Sequence, residues 1–276
     1  MSKFSPVLAL SIGLLSSACG TAYVLPEVDD ASANRAAAMF DSAQQISQPQ
    51  MSSTNVAMAR FKRVAPRIEQ VGETLCQRET AELEGFDCDV EIGIDNEMPQ
   101  RNAYFTYKDT VRKRDPIIMV TAPMLRDVRN DDELAFVLGH EYGHLIGRHI
   151  EKRQQQALAG ALIMGVIAAA ATAGDPYADP NIVSDSMELG YVTGQFAFSQ
   201  EYELESDTLG TLITMAAGYD AEKGALFFAR GEEQQISADQ LSFWGTHPPD
   251  EKRLATVFAT VQQIKAQGGI ARKGEQ

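Results

Sequence analysis

From Phe61 onward, apolar side chains recur every three or four positions, at Phe61, Val64, Ile68, Val71 and Leu75. That spacing puts them on one face of a helix. Pro66 lies inside the run and is expected to kink it. After Gly85 the period shortens to two. Phe86, Cys88, Val90, Ile92 and Ile94 alternate with acidic and small residues, the pattern of a half-buried strand. Asn102 to Tyr107 and Ile117 to Thr121 read as two further short strands joined by a charged hairpin. Asn130-Asp131-Asp132-Glu133 then has the form of a capping box, with Asn130 capping and Glu133 reaching back. Its acids also suit the positive end of a helix dipole. The helix it starts is expected to run from about Asp131 past Ile150.

Ala157 to Ala173 is almost wholly apolar and small, at the lower edge of what spans a bilayer. It reads as a buried helix or one lying against a membrane surface. Gly174 to Ser186 reads as a loop, and a long helical stretch resumes near Met187 and carries Glu201 to Asp207 (EYELESD). Gly218-Tyr219-Asp220 breaks it, with Asp220 as the next N-cap. Gly245 to Pro249 is a loop, and a last amphipathic helix uses Leu254, Val257, Val261 and Ile264. The pattern predicts an α/β chain, mostly helical, with a small sheet ahead of and beside the helix that begins near Asp131. No internal repeat is visible.

The N-terminus departs from this periodicity. Lys3 precedes a short apolar run, Val7 to Leu15, and then small residues lead to Cys19. This has the form of a secretory leader over 1–18. It resembles a bacterial lipoprotein signal, which implies that Cys19 is lipidated; Ser16 stands where such signals usually have Leu. Gly20 follows, with no Asp to favour inner-membrane retention, so the resemblance implies a periplasmic location with an outer-membrane anchor. Residues 19–55, rich in Ala, Ser and Gln, read as a tether with one short helix near Asn34 to Ala43. Residues 56–270 are then the folded domain.

The chain has 276 residues, 44% of them hydrophobic and 22% charged, which is ordinary for a globular protein. A net charge of −14 argues against a nucleic-acid partner, because the phosphate backbone would repel it. Cys76 and Cys88 would remain after removal of the leader. In an oxidising compartment they can form a single bridge from the first core helix to the first strand; two buried thiols are the other reading.

The candidate chemistry lies in His140-Glu141-Tyr142-Gly143-His144, which fits HExxH. At 100° per residue the two imidazoles are about 40° apart on a helix, and Glu141 is about 60° from His144. Two imidazoles can thus meet one metal from one face with a carboxylate beside them. Catalytic zinc commonly takes three protein ligands and one water, so a ligand is missing. Glu203 and Asp207, four apart on a predicted helix, face the same way, and spacing alone leaves either able to complete the site.

HEYGHLIGRH, SQEYELESD and THPPDEKR, taken together, resemble the HtpX-like zinc metalloproteases, the family that includes the CAAX prenyl-protein endopeptidases, and most closely its soluble periplasmic members. The resemblance covers roughly Phe61 to Ala266. It implies a zincin-like metalloprotease domain with one Zn2+ per chain. The family pattern SRxxExxAD aligns with Ser199, Glu203 and Asp207. This implies Glu203 as third ligand and Asp207 as the acid that orients a ligating imidazole. Gln200 and Ser206 depart from it, and Gln200 puts one structural salt bridge in doubt. His247 falls in the family's HP motif, which implies a catalytic role as oxyanion donor or a place on the metal as a fourth ligand; Arg253 of the same motif would anchor that loop. His149, nine residues after His140, is expected to be structural, on the opposite side of the same helix. Asn102-Ala103-Tyr104 is similar to the family's cleft-lining strand, an edge that can pair with extended peptide. The implied reaction is peptide-bond hydrolysis with Glu141 activating the water, on polypeptide substrates that are misfolded or misassembled envelope proteins. A chaperone-like binding protein with a latent metal site is the alternative.

Overall fold

The computed structural model describes residues 20–44, 51–197, 199–230 and 243–274. The leader and Cys19 lie outside the described residues. Two compact units emerge. One comprises Ala22–Gly147 with Glu203 onward; the other contains Arg148–Tyr202 together with residues 20 and 21.

The first unit opens with α1 (Asp30–Gln44) and α2 (Thr54–Glu79). Ser53 caps α2 through Val56 N, and Pro66 sits inside an unbroken helix, with Val64, Ile68 and Leu75 buried as the periodicity predicts. The sheet has three strands, β1 (Glu91–Asp95), β2 (Ala103–Asp109) and β3 (Arg114–Thr121), in the order β1-β3-β2. β1 runs parallel to β3 and β2 antiparallel to it. The first strand is shorter than its alternation suggests. Ladder pairing begins at Glu91 opposite Ile117, so residues 86–90 have no strand beside them, although Cys88 and Val90 are buried. Cys76 at the end of α2 and Cys88 are joined by a disulfide, with Cα atoms 5.8 Å apart.

A short helix α3 (Ala122–Asp127) leads to α4 (Asp131–Ile146), which is buried almost throughout. Only half of the expected capping box forms: Asn130 Oδ1 accepts from Glu133 N at 2.8 Å, but the Glu133 carboxylate takes the amide of Arg129 and not that of Asn130. The helix also stops earlier than expected, because Arg148 takes a left-handed conformation with φ 57°. His149 therefore opens a new helix and does not occupy the far side of α4.

The rest of this unit is the greater part of α7 (Ser199–Ala216), α8 (Ala221–Ala229, capped by Asp220), the short α9 (Phe243–Thr246) and α10 (Glu251–Gln267). The described part of the expected tether belongs here as well. α1 packs on α8 and α10, Arg35 lies 4.4 Å over the Phe258 ring, and Tyr23 pairs with Arg272 as an antiparallel bridge. Ala36 and Ser32 are fully buried. The Ala- and Ser-rich composition that reads as a flexible linker is what lets a helix approach closely. Ala22 and Tyr23 donate their amides to Glu205 Oε1, the latter at 2.8 Å, which pins this stretch to a buried carboxylate of α7.

The second unit is a helical hairpin of α5 (His149–Thr172) and α6 (Ile182–Phe196), with the first turn of α7. The expected long helix from Met187 is thus two helices, and the loop before it is shorter because α6 begins at Ile182. His149 is buried and stacks on Tyr202, ring centroids 4.6 Å apart. Among the described residues one helix, α5, is long and apolar enough to cross a membrane.

Candidate active site

α4 and α7 cross so closely that side chains have almost no room between them. A Cβ on Gly143 would lie 2.7 Å from the backbone of Ser206, and one on Gly210 would lie 2.8 Å from the amide of His140. This crossing brings residues sixty positions apart in sequence to one point. Ser206, which stands where the family pattern has Ala, is fully buried at this contact. Gln200, the other departure, is exposed.

At the crossing, His140 Nε2 faces His144 Nε2 at 3.1 Å, Glu203 Oε2 at 3.3 Å and His247 Nδ1 at 3.2 Å. Glu203 Oε1 is 3.5 Å from His144 Nε2, and Glu203 Oε2 is 2.7 Å from His247 Nδ1. All four residues are buried, and one ligand atom from each falls within 4.8 Å of every other. His140, His144, Glu203 and His247 together could hold a metal ion.

Asp207 is not in this cluster. Its Oδ1 lies 2.9 Å from His140 Nδ1, and its carboxylate is gripped at both oxygens by Arg253, each contact 2.7 Å. A carboxylate there favours the proton on Nδ1, which leaves the Nε2 lone pair facing the cluster. Arg253 also reaches the carbonyl of Pro248, and its guanidinium lies 4.3 Å over the Phe228 ring, which in turn meets the edge of His140. Arg253 therefore holds the loop, as its motif implies, and fixes Asp207 as well.

The electrostatics favour anionic carboxylates. Burial resists ionisation of Glu203, but the imidazoles of His247 and His144 hold its carboxyl well below the usual range. Burial likewise resists ionisation of Asp207, and Arg253 outweighs it. Burial lowers the pKa of His140, yet its hydrogen bonds to Asp207 and Glu203 carry it up to about 9. Buried carboxylates on both sides of His140 call for positive charge between them, which a proton on the imidazole or a metal ion at Nε2 can supply. A metal ion fits that donor set.

Glu141 sits beside the cluster. Its Oε2 accepts the amide of Phe105 on β2 at 2.9 Å, and its Oε1, buried without a hydrogen bond, lies 3.5 Å from His247 Nε2. The grip of Phe105 on Glu141 was invisible in the sequence, because it uses a backbone amide. Asn102 is buried and its amide donates to Thr121 Oγ1, so Ala103 rather than Asn102 begins the strand. His247 is placed by its own amide, which donates to Phe243 O at 2.7 Å, and by Phe243, whose amide donates to Arg101 O.

Comparison with known proteins gives the same family from a separate direction. The model of peptidase family M48 matches residues 62–261. The mitochondrial metalloendopeptidase OMA1 of Arabidopsis thaliana is 28% identical over 137 residues, covering 49% of this chain and 26% of that protein. The β-barrel assembly-enhancing protease of Escherichia coli K12 is 25% identical over 152 residues, covering 54% of this chain and 31% of that protein. A putative β-barrel assembly-enhancing protease of Vibrio cholerae is 28% identical over 137 residues, 46% of this chain and 27% of its own length. The chain thus spans less than a third of the curated relatives it matches. No solved structure gives a significant match. With the M48 model covering both the HExxH helix and the helix of Glu203, the chain belongs to peptidase family M48.

Proposed function

We propose that the protein is a zinc-dependent endopeptidase in which His140, His144 and Glu203 hold the metal and Glu141 is the general base. One observation carries this reading: His140, His144 and Glu203 converge at 3.1–3.5 Å. That separation suits a tetrahedron with arms of about 2.0–2.1 Å, whose edges measure about 3.3 Å, the geometry zinc prefers. Bound there, zinc would supply Lewis acidity toward the substrate carbonyl and toward a water molecule.

The protein groups do the rest. Phe105 N holds Glu141 Oε2, so Oε1 is the oxygen left to take a proton from the incoming water and then to pass that proton to the leaving nitrogen. Asp207, braced by Arg253, keeps His140 in the tautomer that offers Nε2. His247 Nδ1 lies inside the ligand group, which supports its reading as a fourth ligand that competes with water. The oxyanion role requires the loop of residues 245–249 to withdraw from Glu203 and leave His247 beside the carbonyl oxygen.

The substrates we propose are misfolded or misassembled envelope proteins, a reading supported by relatives named for enhancing β-barrel assembly. The leader and Cys19 support a periplasmic protein held to the outer membrane by an acyl anchor. A latent metal site in a chaperone-like protein is disfavoured by Glu141, which is present and aimed. The test is metal content and casein cleavage of the purified protein beside Glu141→Gln. Zinc at about one per chain, retained in the variant while cleavage falls at least ~10³-fold, is the expected result. A variant as active as the parent would remove Glu141 from the chemistry.

A further inference from the structure

The α5–α6 hairpin is built inside out. Two helices that pair in water bury their large aliphatic side chains between them. Here the buried seam consists of small residues, Ala157, Ala161, Gly165 and Ala168 on α5 and Gly190 and Gly194 on α6, with Met187 of α6 laid against Gly165. A Cβ added to Gly160, Gly190 or Gly194 would run into a backbone carbonyl of the opposite helix at 2.1–2.3 Å. The backbones are therefore in direct contact. The large side chains point outward: Leu158, Leu162, Ile163, Val166 and Ile167 are each more than half exposed, Leu162 by 62% and Val166 by 63%. Between Ala157 and Ala173 only Thr172 carries a side-chain oxygen.

We propose that this outer face of α5 seats on a lipid bilayer. Three features on the molecule identify lipid as the occupant. The small-xxx-small spacing of Gly190 and Gly194 is the packing that holds helices together where no water drives them. The face offers no hydrogen-bonding group, whereas protein interfaces carry about one hydrogen bond per 100–200 Å², and the hairpin's exposed rings, Tyr177 at the tip and Tyr191 and Phe196 on α6, are of the kind found at membrane interfaces. The large side chains of this face are all aliphatic, the composition that hydrocarbon tails accept without loss of any polar contact.

The hairpin lies along the surface and does not pass through. Asp185 and Glu188 are exposed on α6, and Asp175 and Asp179 are at the tip; carrying them into hydrocarbon is unfavourable. The same acids mean that attraction to anionic headgroups plays no part. The proposal stands apart from the peptidase reading and from acylation.

The experiment is flotation with phosphatidylcholine vesicles, using the chain from residue 19 onward as Cys19→Ser, so that neither leader nor acyl group can bind. The protein is expected to float, high salt is expected not to release it, and phosphatidylglycerol is expected to add nothing. Leu162→Glu with Val166→Glu should lower the floated fraction roughly tenfold or more while casein cleavage stays unchanged. As a second reading that leaves the face apolar, Leu162→Trp emission should shift to the blue on adding vesicles. A parent protein that stays at the bottom, a double variant that floats equally, or an unshifted Leu162→Trp would each overturn the proposal. So would light scattering showing a dimer that the double variant splits, with no vesicle binding, since the face would then belong to a second copy.

Discussion

At the scale of single residues, the site separates two carboxylates that the sequence leaves equivalent. Glu203 and Asp207 sit one turn apart on α7, yet Glu203 meets the Nε2 side of His140 and Asp207 the Nδ1 side. The spacing placed both on one face; only the crossing of α4 over α7 decides which nitrogen each one reaches. Glu203→Ala should therefore strip the metal, while Asp207→Asn should keep it with an affinity ~10–100-fold weaker. Equal metal loss from both would mean that Asp207 is itself a ligand. His247 is a second case. If its imidazole competes for the fourth position, His247→Ala should raise basal casein cleavage. A fall of ~10²–10³-fold would instead identify an oxyanion donor, and unchanged turnover with unchanged metal affinity would leave a structural residue. The histidines and Glu141 were legible because HExxH is local on a helix. Phe105 was not, because a backbone donor leaves no mark in side-chain type, and neither was the double grip of Arg253 on Asp207 across 46 residues.

At the scale of elements, periodicity located the helices well and their ends less well. α2 and α10 follow their apolar stripes, with Ile68 and Val257 in the core. The end of α4 did not show, because Arg148 adopts a left-handed conformation in a type of residue that seldom does. β1 was drawn too long because alternation records burial, and burial extends beyond the ladder. The crossing of α4 and α7 is where an element's geometry bears directly on chemistry. Gly143→Ala places a methyl 2.7 Å from the backbone of Ser206, so the helices must part. The expected cost is ~1–3 kcal/mol of stability, read by denaturant titration, together with weaker metal binding as His144 shifts from Glu203. Wild-type stability and metal affinity in that variant would show the crossing to be more compliant than its distances imply.

For the whole molecule, the sequence suggests one folded domain behind a flexible leash, and the protein is arranged otherwise. α1 has too few large apolar residues to read as core, yet alanine and serine bury completely where the neighbouring helix is close. Acylation of Cys19 is checked by mass spectrometry of the mature N-terminus: a diacylglyceryl cysteine followed by Gly20 is expected, and an unmodified N-terminus would end the idea. The hydrogen bonds from Ala22 and Tyr23 to Glu205 then acquire a further meaning. A leash of some thirty residues would let a protease sweep a wide hemisphere above its membrane. If Cys19 carries the anchor, three peptide steps, no more than about 11 Å of chain, separate it from Ala22. A protease anchored in that way would be riveted rather than moored, with a working radius close to its own size. It would cut what is presented at the bilayer and leave untouched what diffuses past a few molecular diameters away.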